Sequence, residues 1–129
     1  MTSSEKTVLI IEDEADAAEL FAEMMRVSGF RVLKTSSSTP AITLMTTEKP
    51  DVVLLDIMMP EISGLEILRQ MRDDPSLADI PVVIVSAKSM PADIRNGLEA
   101  GASTYLTKPV GFLELKEAVE RALGDHPAT

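Results

Sequence analysis

Val52-Val53-Leu54-Leu55-Asp56-Ile57-Met58-Met59-Pro60 is an apolar run that passes straight into a carboxylate and closes on a proline. It does not alternate polar with apolar residues. An unbroken run of this length suits a strand buried on both faces, as in a parallel sheet covered by helices. Val8-Leu9-Ile10-Ile11 upstream and Pro81-Val82-Val83-Ile84-Val85 downstream read the same way. Thr104-Tyr105-Leu106-Thr107 is a weaker version, and Phe30-Arg31-Val32-Leu33-Lys34 reads as an edge strand.

Between these runs the period changes to that of a helix. From Ala15 to Ser28, Leu20, Met24 and Val27 form an apolar stripe that Phe21 and Met25 widen, and Gly29 stops it. A helix follows Gly64 with Leu65, Leu68 and Met71 inward, and another carries Phe112, Leu115, Val119 and Ala122 ahead of Gly124. Pro40 to Thr47 and Ala92 to Ala100 fit short helices by length and flanking proline. Strand and helix thus alternate five times, which predicts an α/β fold with a doubly wound parallel sheet. Right-handed crossovers place every strand's carboxyl end on one edge, where ligands bind in such sheets.

Composition narrows the function. The chain has 129 residues, 45% of them apolar, and no cysteine. A single core of this size buries roughly two thirds of the surface an unfolded chain exposes, so neither disulfides nor metal are needed for folding. The absence of cysteine excludes thiolate catalysis and cysteine-based zinc sites. Twelve Lys and Arg against 21 Asp and Glu speak against a nonspecific grip on nucleic acid or an anionic membrane. The N-terminus has no apolar signal core and no run is long enough to span a bilayer, so the expected location is cytoplasmic.

The residues after each apolar run are Glu12 and Asp13, Asp56, Ser86, and Lys108. Each has an ordinary reading alone. Asp13 suits a helix cap, Ser86 a turn, and Lys108 a solvated loop position. Asp56 resists such a reading, because an ionisable group continuing a buried strand needs a cationic partner. Together, three carboxylates repel one another unless a cation sits among them. Oxygen donors without His or Cys favour a hard ion, magnesium first. A carboxylate beside that ion, faced by an ammonium and a hydroxyl, is suited to receive a phosphoryl group, with Asp56 as nucleophile.

Taken in order, Glu12-Asp13, Asp56 in Val-Val-Leu-Leu-Asp-Ile-Met-Met-Pro, Gly64, Ser86-Ala87 and Tyr105-Leu-Thr-Lys108-Pro109 resemble the receiver domain of two-component response regulators, with a single-domain, chemotaxis-receiver-like span. The resemblance runs from about Thr7 to Leu123, giving an N-terminal extension over 1–6, a receiver over 7–123 and a tail over 124–129. It implies a flavodoxin-like sheet of order 2-1-3-4-5 flanked by five helices. It also implies that Asp56 is the phosphoacceptor, and that Asp13, Asp56 and the Met58 backbone carbonyl hold Mg2+, with Glu12 ligating directly or through water. By the same resemblance Ser86, Lys108 and the Ala87 backbone bind the phosphoryl group, Ser86 and Tyr105 form the switch, and Met58 and Lys88 govern water access. Two departures stand out. Glu12 occupies a position where the family most often has Asp, and Ser86 replaces the commoner Thr, losing a methyl that restricts the rotamer.

The implied function is a phosphorelay switch fed by a histidine kinase or histidine phosphotransfer protein, not a turnover enzyme acting on a separate substrate. The tail has no room for an output domain, so output is expected through an unknown downstream protein or a phosphorylation-dependent homodimer. His126 has no constellation around it and is a poor internal donor. Two other readings compete. A receiver-like interaction module independent of phosphorylation is favoured only by Glu12. A haloacid-dehalogenase-like phosphatase needs a second acid two residues after its nucleophile, where this chain has Met58. Tyr105 without the resemblance reads as ordinary packing.

Overall fold

The computed structural model describes residues 5–59 and 63–124; Pro60, His126, the first four residues and the rest of the tail lie outside them. Five strands alternate with five helices: β1 (Thr7–Ile11), α1 (Ala15–Val27), β2 (Arg31–Thr35), α2 (Ser38–Glu48), β3 (Val52–Leu55), α3 (Gly64–Asp73), β4 (Val82–Ser86), α4 (Pro91–Glu99), β5 (Thr104–Thr107) and α5 (Phe112–Ala122). All strand pairs are parallel, in the order β2-β1-β3-β4-β5. The expected doubly wound sheet is the observed one, with β2 on an edge.

Strand alternation divides the core in two. Val8, Ile10, Val52, Leu54, Val83 and Val85 face α1 and α5, while Leu9, Ile11, Val53, Leu55, Val82 and Ile84 face α2, α3 and α4. Burial on both faces explains why β1, β3 and β4 are apolar at nearly every position. At about 25 cal/mol per Å² of apolar surface, these two layers supply the main stabilisation.

One expectation about α1 is corrected. Its buried residues are Ala18, Phe21, Ala22 and Met25, while Leu20 is 54% and Val27 76% exposed. Phe21 and Met25, which widened the expected stripe, are buried, and Met24 packs against the core, so the inward stripe is centred beyond them on the Ala18–Ala22 side and not on Leu20-Met24-Val27. Small Ala18 and Ala22 let the helix lie close to the sheet, and the large aliphatics are left outside. Phe112 is likewise at the surface of α5, where Leu115, Ala118 and Val119 are buried. Gly29, at φ +96°, ends α1 as expected, because that conformation disfavours any residue with a Cβ. Among the described residues, no helix is long and apolar enough to cross a membrane.

Candidate functional site

The site forms because the strand register runs one step past the strands. Ile11 pairs with both Leu55 and Thr35, and Ser86 with Thr107. Beyond these pairs, the Glu12 N–H donates to the Thr35 carbonyl at 3.1 Å, Asp56 N–H to Ile11 at 3.0 Å and Lys108 N–H to Ser86 at 2.9 Å. Three charged residues are thereby pinned by backbone to neighbouring strands. Alternation also assigns their sides: Glu12, Asp56 and Lys108 continue the α1/α5 face, Ser86 and Tyr105 the other.

Three strand exits use the same local device. Glu12 Oε2 accepts from the Glu14 N–H at 3.2 Å, Asp56 Oδ1 from the Met58 N–H at 2.8 Å and Ser86 Oγ from the Lys88 N–H at 3.1 Å. Acidic and hydroxyl side chains favour such a bond to an amide two residues on, which turns the chain as it leaves the sheet. Glu14, not Asp13, is the N-cap of α1, and it makes no side-chain capping bond. Asp13 is therefore exposed beside the other two acids and takes no part in capping, contrary to its reading in isolation.

Charge is concentrated at one point. Glu12 is 2% and Asp56 6% exposed, and Lys108 Nζ donates to Glu12 Oε1 at 2.8 Å and to Asp56 Oδ2 at 3.2 Å. The ammonium also lies 5.9 Å from the centre of the Phe21 ring, within reach of a cation–π attraction. Burial raises the Glu12 carboxyl above its ordinary value, and the hydrogen bond from Lys108 only partly reverses this. For Lys108, burial works against the ammonium, but its bond to Glu12 and the charge of Asp56 outweigh burial and raise its value.

Glu12, Asp13 and Asp56 each offer a carboxylate oxygen, all within 4.8 Å of one another. This all-oxygen set, with Asp13 open to solvent, fits a hard divalent cation that keeps part of its water shell. A cleft of about 560 Å³ extends from Glu12 and Asp13 towards Lys34 and Ser37 and gives access to it.

Ser86 is fully buried as the last residue of β4, while Ala87 and Lys88 are exposed. The Tyr105 hydroxyl donates to the Lys88 carbonyl at 2.8 Å, so Ser86 and Tyr105 are joined through the Lys88 backbone. Met58 is 47% exposed.

Gly64 and Phe21 were both named in the sequence reading, but their contacts at the site, and the Ser63 cap, escaped it. A Cβ on Gly64 would lie 2.6 Å from the Asp56 carbonyl oxygen and 2.7 Å from the Ile57 Cα, so only glycine lets α3 start against the phosphoacceptor candidate's backbone. Ser63 caps that helix by accepting from the Leu65 N–H at 3.1 Å. The Ser63-Gly64-Leu65-Glu66 pattern is the signal that could have located the cap. Phe21 lay within the expected stripe, but nothing local connects it with Lys108.

Comparison with known proteins gives a consistent picture. A family model described as "Response regulator receiver domain" matches residues 8–120. The polar-differentiation response regulator DivK of Brucella ovis is 35% identical over 120 residues, covering 93% of this chain and 98% of that protein. A putative response regulator from Chloroflexus aurantiacus superposes with a TM-score of 0.90 at 28% identity, covering 94% of this chain and 99% of the other. The receiver domain of a Pseudomonas aeruginosa sensor histidine kinase, solved with a magnesium ion in its active-site cleft, gives 0.86 at 26% identity, with 94% and 99% covered.

Proposed function

This chain belongs to the response regulator receiver domain family, the signalling modules of two-component systems, and from that premise we propose that it is a phosphoacceptor switch phosphorylated on Asp56. The observation that carries the proposal is the meeting of a buried Asp56, a second buried acid and a lysine ammonium at the carboxyl edge of the sheet. We assign the receiver to residues 7–123.

The donor is a phosphohistidine on a histidine kinase or phosphotransfer protein. An Asp56 carboxylate oxygen bonds to phosphorus as the phosphorus–nitrogen bond breaks, and the electron pair of that bond leaves with the imidazole. Asp13, Asp56 and the Met58 carbonyl would hold Mg2+, with Glu12 contributing directly or through water. The ion, when bound, supplies positive charge to the carboxylates and to the transferred oxygens. Lys108, whose ammonium already donates to Asp56, would pair with the phosphoryl group. The Ser86 hydroxyl already accepts from Lys88, so its own hydrogen is the one to donate to a phosphoryl oxygen, beside the Ala87 N–H. Met58 and Lys88 stand where water reaches the acyl phosphate.

The output follows from the bonds around Lys88. If Ser86 moves towards the phosphoryl group, its bond to the Lys88 N–H draws that segment with it, and the Lys88 carbonyl carries the Tyr105 hydroxyl. Two or three charge-assisted bonds at about 1.5–3 kcal/mol each total about 3–9 kcal/mol, a range that brackets the roughly 5.5 kcal/mol needed to invert a two-state population from 1:99 to 99:1. The affected surface is that of α4, β5 and α5, where Pro91, Ile94 and Leu98 line an apolar cleft of about 530 Å³ suited to a protein partner.

Intact mass and peptide mapping after incubation with Mg2+ and a small phosphodonor test the reading. One phosphoryl group on Asp56, absent from Asp56→Asn and absent without Mg2+, is the expected result. An unmodified chain that still binds Mg2+ overturns it in favour of a phosphorylation-independent module.

A further inference from the structure

We propose that Asn96 is a self-modification site: when α4 opens locally, the Gly97 backbone nitrogen converts the Asn96 side-chain amide into a carboxylate or an isoaspartyl link, and α4 loses its seat on β4 and β5. The inference goes beyond the phosphoacceptor reading and does not depend on it. Asn96 is the chain's sole asparagine, and the residue after it is glycine. No Cβ at position 97 shields the backbone nitrogen from the Asn96 side chain.

The helix that carries this pair is built to open. α4 has nine residues, short of the roughly 12–15 at which a helix is even marginally stable in water without tertiary support. Its tertiary support is slight, since Gly97 is its one buried residue. A glycine also weakens a helix interior. Gly97 is nevertheless required, because a Cβ there would come within 2.8 Å of both the Ile84 side chain and the Tyr105 ring. The close approach that seats α4 is thus what places an Asn-Gly pair within it. Asn96 is exposed, so water reaches its side chain. While the helix is closed, the Gly97 N–H points back along the axis towards the Asp93 carbonyl, and the Asn96 carbonyl accepts from the Ala100 N–H at 3.0 Å. Breaking this turn frees the backbone torsions of Asn96 and Gly97 and lets the nitrogen reach the side chain. Local opening of a lightly packed element costs far less than global unfolding.

The reaction balances with water alone. The Gly97 nitrogen gives its proton to solvent and bonds to Asn96 Cγ. The bond from Cγ to the amide nitrogen breaks, and its electron pair leaves on that nitrogen, which takes a proton from water and departs as ammonia. Water then adds to one of the two carbonyl carbons of the cyclic imide. Cleavage between Cγ and the Gly97 nitrogen leaves an ordinary aspartate. Cleavage between the Asn96 backbone carbonyl carbon and that nitrogen leaves the main chain running through Cγ. The aspartate stands three residues from both Asp93 and Glu99, where like charges are helix neighbours and repel. The isoaspartyl link adds a methylene to the main chain, so the hydrogen-bond ladder across position 96 cannot close.

The test follows the full chain in mildly alkaline buffer by intact mass, ammonia release and peptide mapping. Exchange of amide for acid at Asn96 is expected, with aspartate and isoaspartate both found there and no such change in Asn96→Gln. The rate should stay within about a hundredfold of that in the chain unfolded by guanidinium chloride. Access through global unfolding alone would slow it by about a thousandfold or more, the folded excess of an ordinary domain. Below the unfolding midpoint the rate should also be flat in guanidinium, because local opening exposes little surface. A rate a thousandfold below the unfolded one, or one that climbs with the slope of global unfolding, overturns the proposal. Tyr105 is the only tyrosine and the chain has no tryptophan, so its emission follows the ring on which α4 rests. That emission should change on complete conversion, and an unchanged emission overturns the loss of the seat. No part of the test uses Mg2+ or a phosphodonor, so failed phosphorylation counts against the proposed function alone.

Discussion

On the α1/α5 side of the carboxyl edge, Glu12, Asp56 and Lys108 meet as full charges at 2.8 and 3.2 Å. On the α4 side, Ser86 and Tyr105 are joined by neutral hydrogen bonds to one backbone segment at Lys88. The helices that cover the two sides differ in the same sense. α1 buries Ala18, Phe21, Ala22 and Met25, whereas α4 buries only Gly97. A Cβ at Gly97 would come within 2.8 Å of both the Tyr105 ring and the Ile84 side chain, so α4 rests on β4 and β5 through its smallest residue. The difference teaches where each kind of work can be done. Buried charges tolerate little displacement, because separating them leaves an uncompensated ion in a poorly solvated site. A lightly buried helix held by neutral bonds opens at low cost and is suited to be the moving part.

Lys108→Met attacks the rigid side most directly and carries the largest expected effect. Without a divalent cation at pH 7, the stability loss should fall near the lower end of the roughly 3–5 kcal/mol that follows from breaking a buried ion pair. The lower end applies because the lysine side chain keeps 23% of its exposure. Added Mg2+ should restore part of the loss. Urea titrations with and without Mg2+ decide this, and a loss within error would dissolve the contrast between the two sides.

Gly64→Ala pushes a methyl group against the Asp56 backbone. Overpacking of this kind should lower stability by about 1–3 kcal/mol and slow phosphoryl acceptance. An alanine variant with unchanged urea midpoint and rate would show that the start of α3 yields more easily than the charged cluster beside it.

The pH dependence of the rigid side has a definite sign. Burial holds the Glu12 carboxyl above its ordinary value of 4.5, so its contribution to stability is fully present below that pH and is lost as pH rises through the raised value. Glu12→Gln has no such step. In metal-free buffer, the stability of the native chain relative to Glu12→Gln should therefore decline as pH increases above 4.5. Lys108, also raised, stays charged beyond its ordinary 10.5, so its own contribution persists through neutrality and is lost only in strong alkali. Parallel urea titrations of the native chain, Glu12→Gln and Lys108→Met across this range check both signs.

On the mobile side, Tyr105→Phe removes the hydroxyl bonded to Lys88. A loss of about 0.5–1.5 kcal/mol is expected, with phosphorylation intact and partner binding less dependent on it. A stability loss as large as that of Lys108→Met would mean that the tyrosine is a structural post. Glu19→Gln is the smallest case. Glu19 pairs with Lys34 and Arg26 at the surface, where solvent screens the charges, so neither urea midpoint nor phosphorylation rate should move measurably.

Much of this arrangement was legible before folding. Uninterrupted apolar runs identified β1, β3 and β4 because strands buried on both faces have no polar side to show. Asp56 announced itself as a charge continuing such a run. The rotation of α1 was not legible, since Leu20, Met24 and Val27 make as good a stripe as Ala18, Phe21, Ala22 and Met25 until the sheet is present to reward close approach. The Gly64 contact escaped for the same reason: it depends on the distance between a helix start and a strand end, which no local pattern encodes.

The sequence by itself determined that β and α would alternate, that the acids, the hydroxyl and the lysine would fall at one edge, and which of them had ionisable groups. Those outcomes follow from periodicity and residue order, which are local properties. Only the tertiary structure decided that Glu12 reaches Lys108 at 2.8 Å, that Phe21 lies beside the same ammonium, and that Ser86 and Tyr105 meet through the backbone of Lys88. These contacts join different strands, turns and helices, and their lengths are set by strand register and by the distance at which helices pack on a twisted sheet.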